Sequence, residues 1–187
     1  MRALLDMDGV VADFVLGAMQ LHNKSWPYND VQGDDGWNLD LVWGMKPCEF
    51  WDPMGFEFWE GLQKTRDADA IVELLRLMVG HDICFLSSPC FTLGCMEGKR
   101  AWASRFYPEI PVLFSCQSMS AGAAPPKWFC AGQETVLIDD SNANVTSFRK
   151  AGGKAVLVPR PWNHLHRLSE ESVLATKMTL SAMVGRM

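Results

Sequence analysis

No window of the sequence approaches the roughly 18 consecutive apolar residues that a membrane span requires, so no membrane partner is expected. The first residues, Met1-Arg2-Ala3-Leu4-Leu5-Asp6, lack the apolar stretch of a signal peptide, because Asp6 and Asp8 interrupt it at once. The six cysteines, at 48, 84, 90, 95, 116 and 130, form no CxxC pair and no zinc-ribbon spacing. Several sit in or beside apolar runs, where cysteine acts as a small hydrophobe. A cytoplasmic protein with reduced thiols is the expectation. A basic face is missing too: the net charge of -5 argues against a nucleic-acid binder. It leaves room for a small anionic substrate held by a few local cations. Internal repeats and low-complexity tracts are absent.

What is present fits one domain of ordinary size, or one core carrying a modest insertion: 187 residues, 48% hydrophobic and 21% charged. Four short apolar runs, at residues 3–5, 83–86, 136–138 and 155–158, read as buried strands, with 111–114 a weaker fifth. Each is apolar on both faces, the pattern of parallel strands covered by helices on either side. Residues 67–79 place Ile71, Leu74, Leu75 and Met78 at helical spacing, with Gly80 as the C-cap. Residues 96–106 and 143–150 read as further helices, and 169–187 as a helix packing on the edge of the core. Strands alternating with helices predict an α/β fold with a Rossmann-like parallel sheet.

Residues 14–65 depart from that rhythm. They hold five of the eight tryptophans (26, 37, 43, 51 and 59) with Phe50, Phe56 and Phe58, and their acids outnumber their bases. A helix starts near Ala12, and Gly, Pro and Asn punctuate the rest. The expectation is a small helical cap, residues 14–65, inserted after the first strand into a core made of residues 1–13 and 66–187. Its aromatics either pack the cap onto the body or enclose a ligand.

The chemistry-bearing residues stand at strand ends. The run Leu4-Leu5-Asp6-Met7-Asp8-Gly9 delivers two carboxylates to the end of the first strand, where open α/β sheets bind ligands. Two acids so close repel unless a cation or a proton lies between them. Hard oxygen donors favour Mg²⁺. A second acidic pair, Asp139-Asp140, ends the strand Val136-Leu137-Ile138, and Ser87-Ser88-Pro89 ends the strand at 83–86. Hydroxyls and free backbone N–H groups at a strand end suit phosphate oxygens. His164-x-His166 reads as an exposed turn, and Cys90 and Cys95 flank a loop near Ser87.

In this order, a DxDG run, a serine, a lysine and an Asp-Asp strand end resemble the four motifs of the haloacid dehalogenase superfamily. Asp6-Met7-Asp8-Gly9-Val10-Val11-Ala12-Asp13-Phe14, Leu86-Ser87-Ser88-Pro89, Lys99-Arg100-Ala101-Trp102 and Leu137-Ile138-Asp139-Asp140 resemble the 5'(3')-deoxyribonucleotidases. The resemblance implies a Mg²⁺-dependent phosphatase. In it Asp6 is the nucleophile that forms an aspartyl-phosphate, and Asp8 is the acid and base. Asp6, Asp8 and Asp140 hold the metal, with Asp139 behind them or sharing that role. Ser87 and Ser88 bind phosphate together with Lys127, and Lys99 is a second positive contact. Phe14, Trp37, Trp51 and Phe58 enclose the base of a nucleoside monophosphate, the small-molecule partner expected. Another small phosphate ester, such as a sugar or glycolate phosphate, is the alternative substrate, and a silent nucleotide-binding regulator the alternative class. A homodimer is compatible with the sequence.

Overall fold

The computed structural model of the chain describes residues 1–28, 38–115 and 126–184. Five strands, β1 (Arg2–Leu5), β2 (Ile83–Ser87), β3 (Val112–Phe114), β4 (Thr135–Asp139) and β5 (Lys154–Leu157), form one sheet in the order β3-β2-β1-β4-β5. Every pairing is parallel, with Leu5 opposite both Phe85 and Ile138. Successive side chains of a strand point to opposite faces, and the core divides accordingly. Ala3, Leu5, Ile83, Phe85, Val136 and Ile138 join one apolar cluster, and Leu4, Cys84, Leu86 and Leu137 join the other. Both faces are therefore covered, which is why these strands read as unbroken apolar runs rather than alternating ones. β3 lies at the edge and is only partly buried, as its weaker pattern predicts.

Between β1 and β2 the chain forms α1 (Phe14–His22), α2 (Leu39–Val42), α3 (Pro47–Trp51), α4 (Phe56–Glu60) and α5 (Ala68–Val79). Asp13 caps α1, its carboxylate accepting the Leu16 N–H at 3.0 Å. The segments leading into and out of the insert are tied together: the Asp13 N–H donates to Gln63 O at 2.8 Å, and the Thr65 N–H to Val11 O at 2.9 Å. Phe14, Phe50 and Trp59 belong to the same cluster as the sheet residues Leu5 and Phe85, so the helical segment shares the core of the body.

After β2 come α6 (Cys95–Phe106), α7 (Asn142–Lys150) and α8 (Ser172–Val184). α6 packs directly on α4, because Gly98 has no side chain: a Cβ there would stand 2.6 Å from Phe56 O and 2.7 Å from Trp59 Cβ. α5 buries Ile71, Val72, Leu74 and Leu75, and Gly80 ends it at a φ of 74°. α8 packs against α5 and the edge strand β5; the turn before it, His166–Glu171, is 3₁₀ rather than the start of the α-helix. No helix among the described residues is long and apolar enough to cross a membrane.

Candidate active site

β2 and β3 extend to one side of β1, and β4 and β5 to the other. The strand order thus reverses at the β1–β4 neighbour pair, and the crevice beyond those strand ends is where such sheets bind ligands. The Asp6 N–H donates to Ile138 O at 2.9 Å, which sets Asp6 beside Asp139 at the end of β4. Met7 O then accepts the N–H groups of Val10, Val11 and Ala12, and Gly9 turns the loop with a φ of 75°. A cleft of about 800 Å³ opens above it, lined on the body side by Asp6, Asp8, Ser88, Cys90, Lys127 and Asp140.

Asp6, Asp139 and Asp140 are all buried, with carboxylate oxygens within 4.8 Å of one another. Asp6 Oδ1 accepts from the Met7 N–H at 2.8 Å and from Lys127 Nζ at 2.7 Å. Burial raises the Asp6 carboxyl to about 7; Lys127 opposes the shift, while Asp139 and Asp8 add to it. Asp140 is likewise raised well above the usual carboxylate range by burial, then by Asp139 and Asp6. Burial alone would lower Lys127, yet Asp139 and Asp6 outweigh it and hold the ammonium charged. Lys127 pairs with two of the three carboxylates, Asp6 and Asp139, and leaves Asp140 without a lysine partner among the described residues. Such an excess of buried hard oxygen donors fits a divalent cation, and the cluster can hold a metal ion.

The two acids that end β4 differ in their surroundings. Asp139 is saturated: it accepts from Lys127 Nζ at 2.7 Å, from the Ser141 N–H at 2.8 Å, and from Asn144 Nδ2 on both oxygens. It does not line the cleft. Asp140 does, and one of its oxygens accepts from Trp162 Nε1 at 2.6 Å while Asn163 Nδ2 donates to its carbonyl. Asp140 is thus the acid of the pair that faces the cleft.

Lys99 is placed otherwise than as a phosphate contact. It is 1% exposed and does not line the cleft; Nζ donates to Asp8 Oδ2 at 2.5 Å, Ser87 Oγ at 2.9 Å and Ser88 O at 3.1 Å. Three donors meet three acceptors, so none is left for a substrate. The ammonium also lies 4.4 Å from the centre of the Trp59 ring. Ser87 is fully buried with its hydroxyl turned to Lys99, so Ser88 rather than Ser87 reaches the cleft. The second oxygen of Asp8, Oδ1, is buried with no hydrogen-bond partner among the described residues.

The aromatic candidates separate as well. Phe14 and Trp51 line the cleft, and Trp59 joins them. Phe14 is 2% exposed and stacks with both Trp51 (6.0 Å between centroids) and Trp59 (5.6 Å), so it supports those rings rather than offering a face of its own. Phe58 is not brought to the cleft: it meets Phe14 edge-on at 6.1 Å and lines a separate shallow depression with Leu16 and Leu21. Trp37 lies outside the described residues.

Arg160 does not line the cleft. Its guanidinium is buried and donates to Gly9 O at 2.6 Å and Val10 O at 2.9 Å, and it forms a two-pronged pair with Asp67 at 2.8 and 2.9 Å. It holds the backbone just after Asp8 in place. His166 sits on the Asn163 carbonyl, and neither it nor His164 belongs to a metal-capable cluster among the described residues.

No protein-family model and no curated protein sequence matches the chain. Solved structures do. The L-2-haloacid dehalogenase from Xanthobacter autotrophicus superposes with a TM-score of 0.51 at 12% identity, over 97% of this chain and 87% of that one. A haloacid dehalogenase-like hydrolase from Streptococcus pneumoniae gives 0.49 at 11% identity, over 89% of each chain. The fold is that of the haloacid dehalogenases: an α/β core around a five-stranded, all-parallel sheet, with helical segments after the first strand.

Proposed function

We propose that the chain is a Mg²⁺-dependent phosphomonoesterase that hydrolyses ribo- or deoxyribonucleoside 5'-monophosphates to nucleoside and phosphate. The observation that carries the reading is Asp6. One of its oxygens is pinned by the Met7 N–H and Lys127, and the residue lines a cleft that Asp8 and Lys127 also line. Asp6 attacks phosphorus through its other oxygen and becomes an aspartyl-phosphate, which splits one hard hydrolysis into two easier steps. Asp8 donates a proton to the departing ester oxygen and then takes one from the attacking water. Lys99 fixes the Asp8 carboxylate from beneath, and Lys127 and Ser88 hold the phosphate oxygens. Asp6 and Asp140, with the backbone beside Asp8, would hold Mg²⁺, which supplies positive charge to the phosphate when bound.

The nucleoside half of the reading rests on Trp51, the half-buried ring of the cleft's aromatic wall, with Phe14 stacked behind it, since every base offers a face to a ring. Phosphate release from a panel of nucleoside and sugar monophosphates with Mg²⁺ tests it, together with acid-trapping of phosphoprotein in wild type and Asp6→Asn. Nucleotides should lead the panel, and the label should vanish in the variant. A lead for sugar phosphates would overturn the nucleotidase assignment alone, and turnover by folded Asp6→Asn would overturn the chemistry.

A further inference from the structure

We propose that Cys90 and Cys95 form a reversible redox site, a dithiol that a peroxide converts to a disulfide at the wall of the cleft. Cys90 follows Ser88-Pro89 at the end of β2, is half-buried and lines the cleft, so a small oxidant can reach it. Cys95 is buried and is the first residue of α6. The two cysteines stand at either end of a short loop that the Cys95 N–H closes on Thr92 O at 3.3 Å. Thr92 is itself anchored: its hydroxyl donates to Met54 O at 2.6 Å and lies 2.9 Å from Cys90 Sγ. Cys84 and Cys130 are placed differently. Cys84 donates to main-chain carbonyls within the sheet, and Cys130 lies away from the cleft, packed against the apolar cluster on the Leu4 face of the sheet.

Hydrogen bonding from Cys95 lowers the Cys90 pKa, against burial, with Thr92 and the Lys99 charge helping; Cys95 moves the opposite way. The pair therefore has an attacking sulfur facing solvent and a protonated partner behind it, the arrangement that oxidation by peroxide needs. The Cys90 thiolate attacks one peroxide oxygen; the O–O bond breaks, and the leaving oxygen takes a proton and departs as water. The Cys95 sulfur then attacks the sulfenic sulfur; the S–S bond forms, the S–O bond breaks, and the hydroxyl leaves as water with the Cys95 proton. Two electrons pass from the sulfurs to one peroxide.

Both ends of this loop touch the site. Ser88 is two residues before Cys90, and Lys99, which holds Asp8, is one helical turn after Cys95. Drawing the two sulfurs into a bond therefore moves the groups around Asp8. This consequence rests on the phosphatase reading; the chemistry of the pair does not.

The test is oxidation of the whole chain by one equivalent of hydrogen peroxide, followed by intact mass, peptide mapping and phosphate release. The expected result is a loss of two hydrogens reversed by dithiothreitol. Cleavage after the exposed Phe91 should give two peptides joined only through Cys90 and Cys95. Turnover should fall about tenfold or more and recover on reduction, the scale of a misplacement near 1 Å. Cys95→Ser should instead stop at a sulfenic acid trapped by dimedone on Cys90. No mass change, irreversible gain of oxygen in the wild type, or a bond from Cys90 to the cleft residue Cys48 would each overturn the site. A reversible bond with unchanged turnover would overturn the link to activity. If the reduced protein releases no phosphate at all, the phosphatase reading fails while the mapping still decides the pair.

Discussion

Replacing Asp6 by asparagine in metal-free protein should stabilise it by about 2 kcal/mol more at pH 8 than at pH 5.5. The magnitude follows from the buried carboxyl. Asp6 titrates at about 7 in the folded chain, against about 3.9 for an aspartate in water. At pH 5.5 the folded state keeps this proton and the unfolded chain has lost it, which contributes about 2 kcal/mol in favour of folding. That contribution is full below the unfolded value and is lost as pH rises through about 7; by pH 8 it is nearly gone. Asp140 is shifted in the same direction, so both acids make the metal-free fold weaken towards alkaline pH. Asparagine keeps an oxygen for the Met7 N–H and Lys127 and has nothing to ionise. Mg²⁺ should reverse the trend in wild type, since it binds ionised carboxylates and its stabilisation grows with pH. Urea denaturation in EDTA and in Mg²⁺, at pH 5.5, 6.5, 7.5 and 8, measures all of this. A difference between wild type and variant that stays flat across the window would mean that burial does not hold the Asp6 proton.

Turnover should need Mg²⁺, vanish in EDTA, and be poorly supported by Ca²⁺, whose longer and looser coordination misaligns an in-line attack; a metal titration of initial rates checks it. Gly98→Ala should cost about 1–3 kcal/mol of stability, read from the fall in urea midpoint, because its methyl would press on Phe56 O and the Trp59 Cβ. Arg160→Leu should cost about 3–5 kcal/mol, by leaving half-buried Asp67 without its cation and the Gly9 and Val10 carbonyls without their donor, measured by the same denaturation. Trp51→Ala should weaken nucleotide binding by about 1–3 kcal/mol while p-nitrophenyl phosphate hydrolysis falls much less. Equal losses on both substrates would make Trp51 a packing residue.

The sheet was legible because burial on both faces leaves unbroken apolar runs, and the run at 111–114 was faint because β3 is an edge. Asp6, Asp8, Asp139 and Asp140 were legible because an acid directly after a buried strand needs a reason. Spacing alone did not reveal how Lys99 spends its donors: the same lysine pattern fits a phosphate contact or a buried partner of Asp8, and only the packing of α6 decides. Phe58 and Trp59 are neighbours on a short helix and therefore point in different directions, so composition could not say which one turns to the cleft. Arg160, Trp162 and Asn163 sit in an irregular stretch after β5, where no periodicity marks them, yet all three fasten strand-end residues.

Gly98 and Lys99 are adjacent, and they do unlike things. The glycine lets α4 lie against α6, and the lysine holds Asp8 while resting on Trp59 from that same α4. A chimera that transplants residues 14–65 from another protein would thus exchange more than a helical segment. It would remove the ring that covers the lysine and alter the local field at Asp8. Modular exchange in this scaffold should succeed only when the first turns of α6 travel with the graft, so the unit of recombination is discontinuous in sequence although contiguous in space.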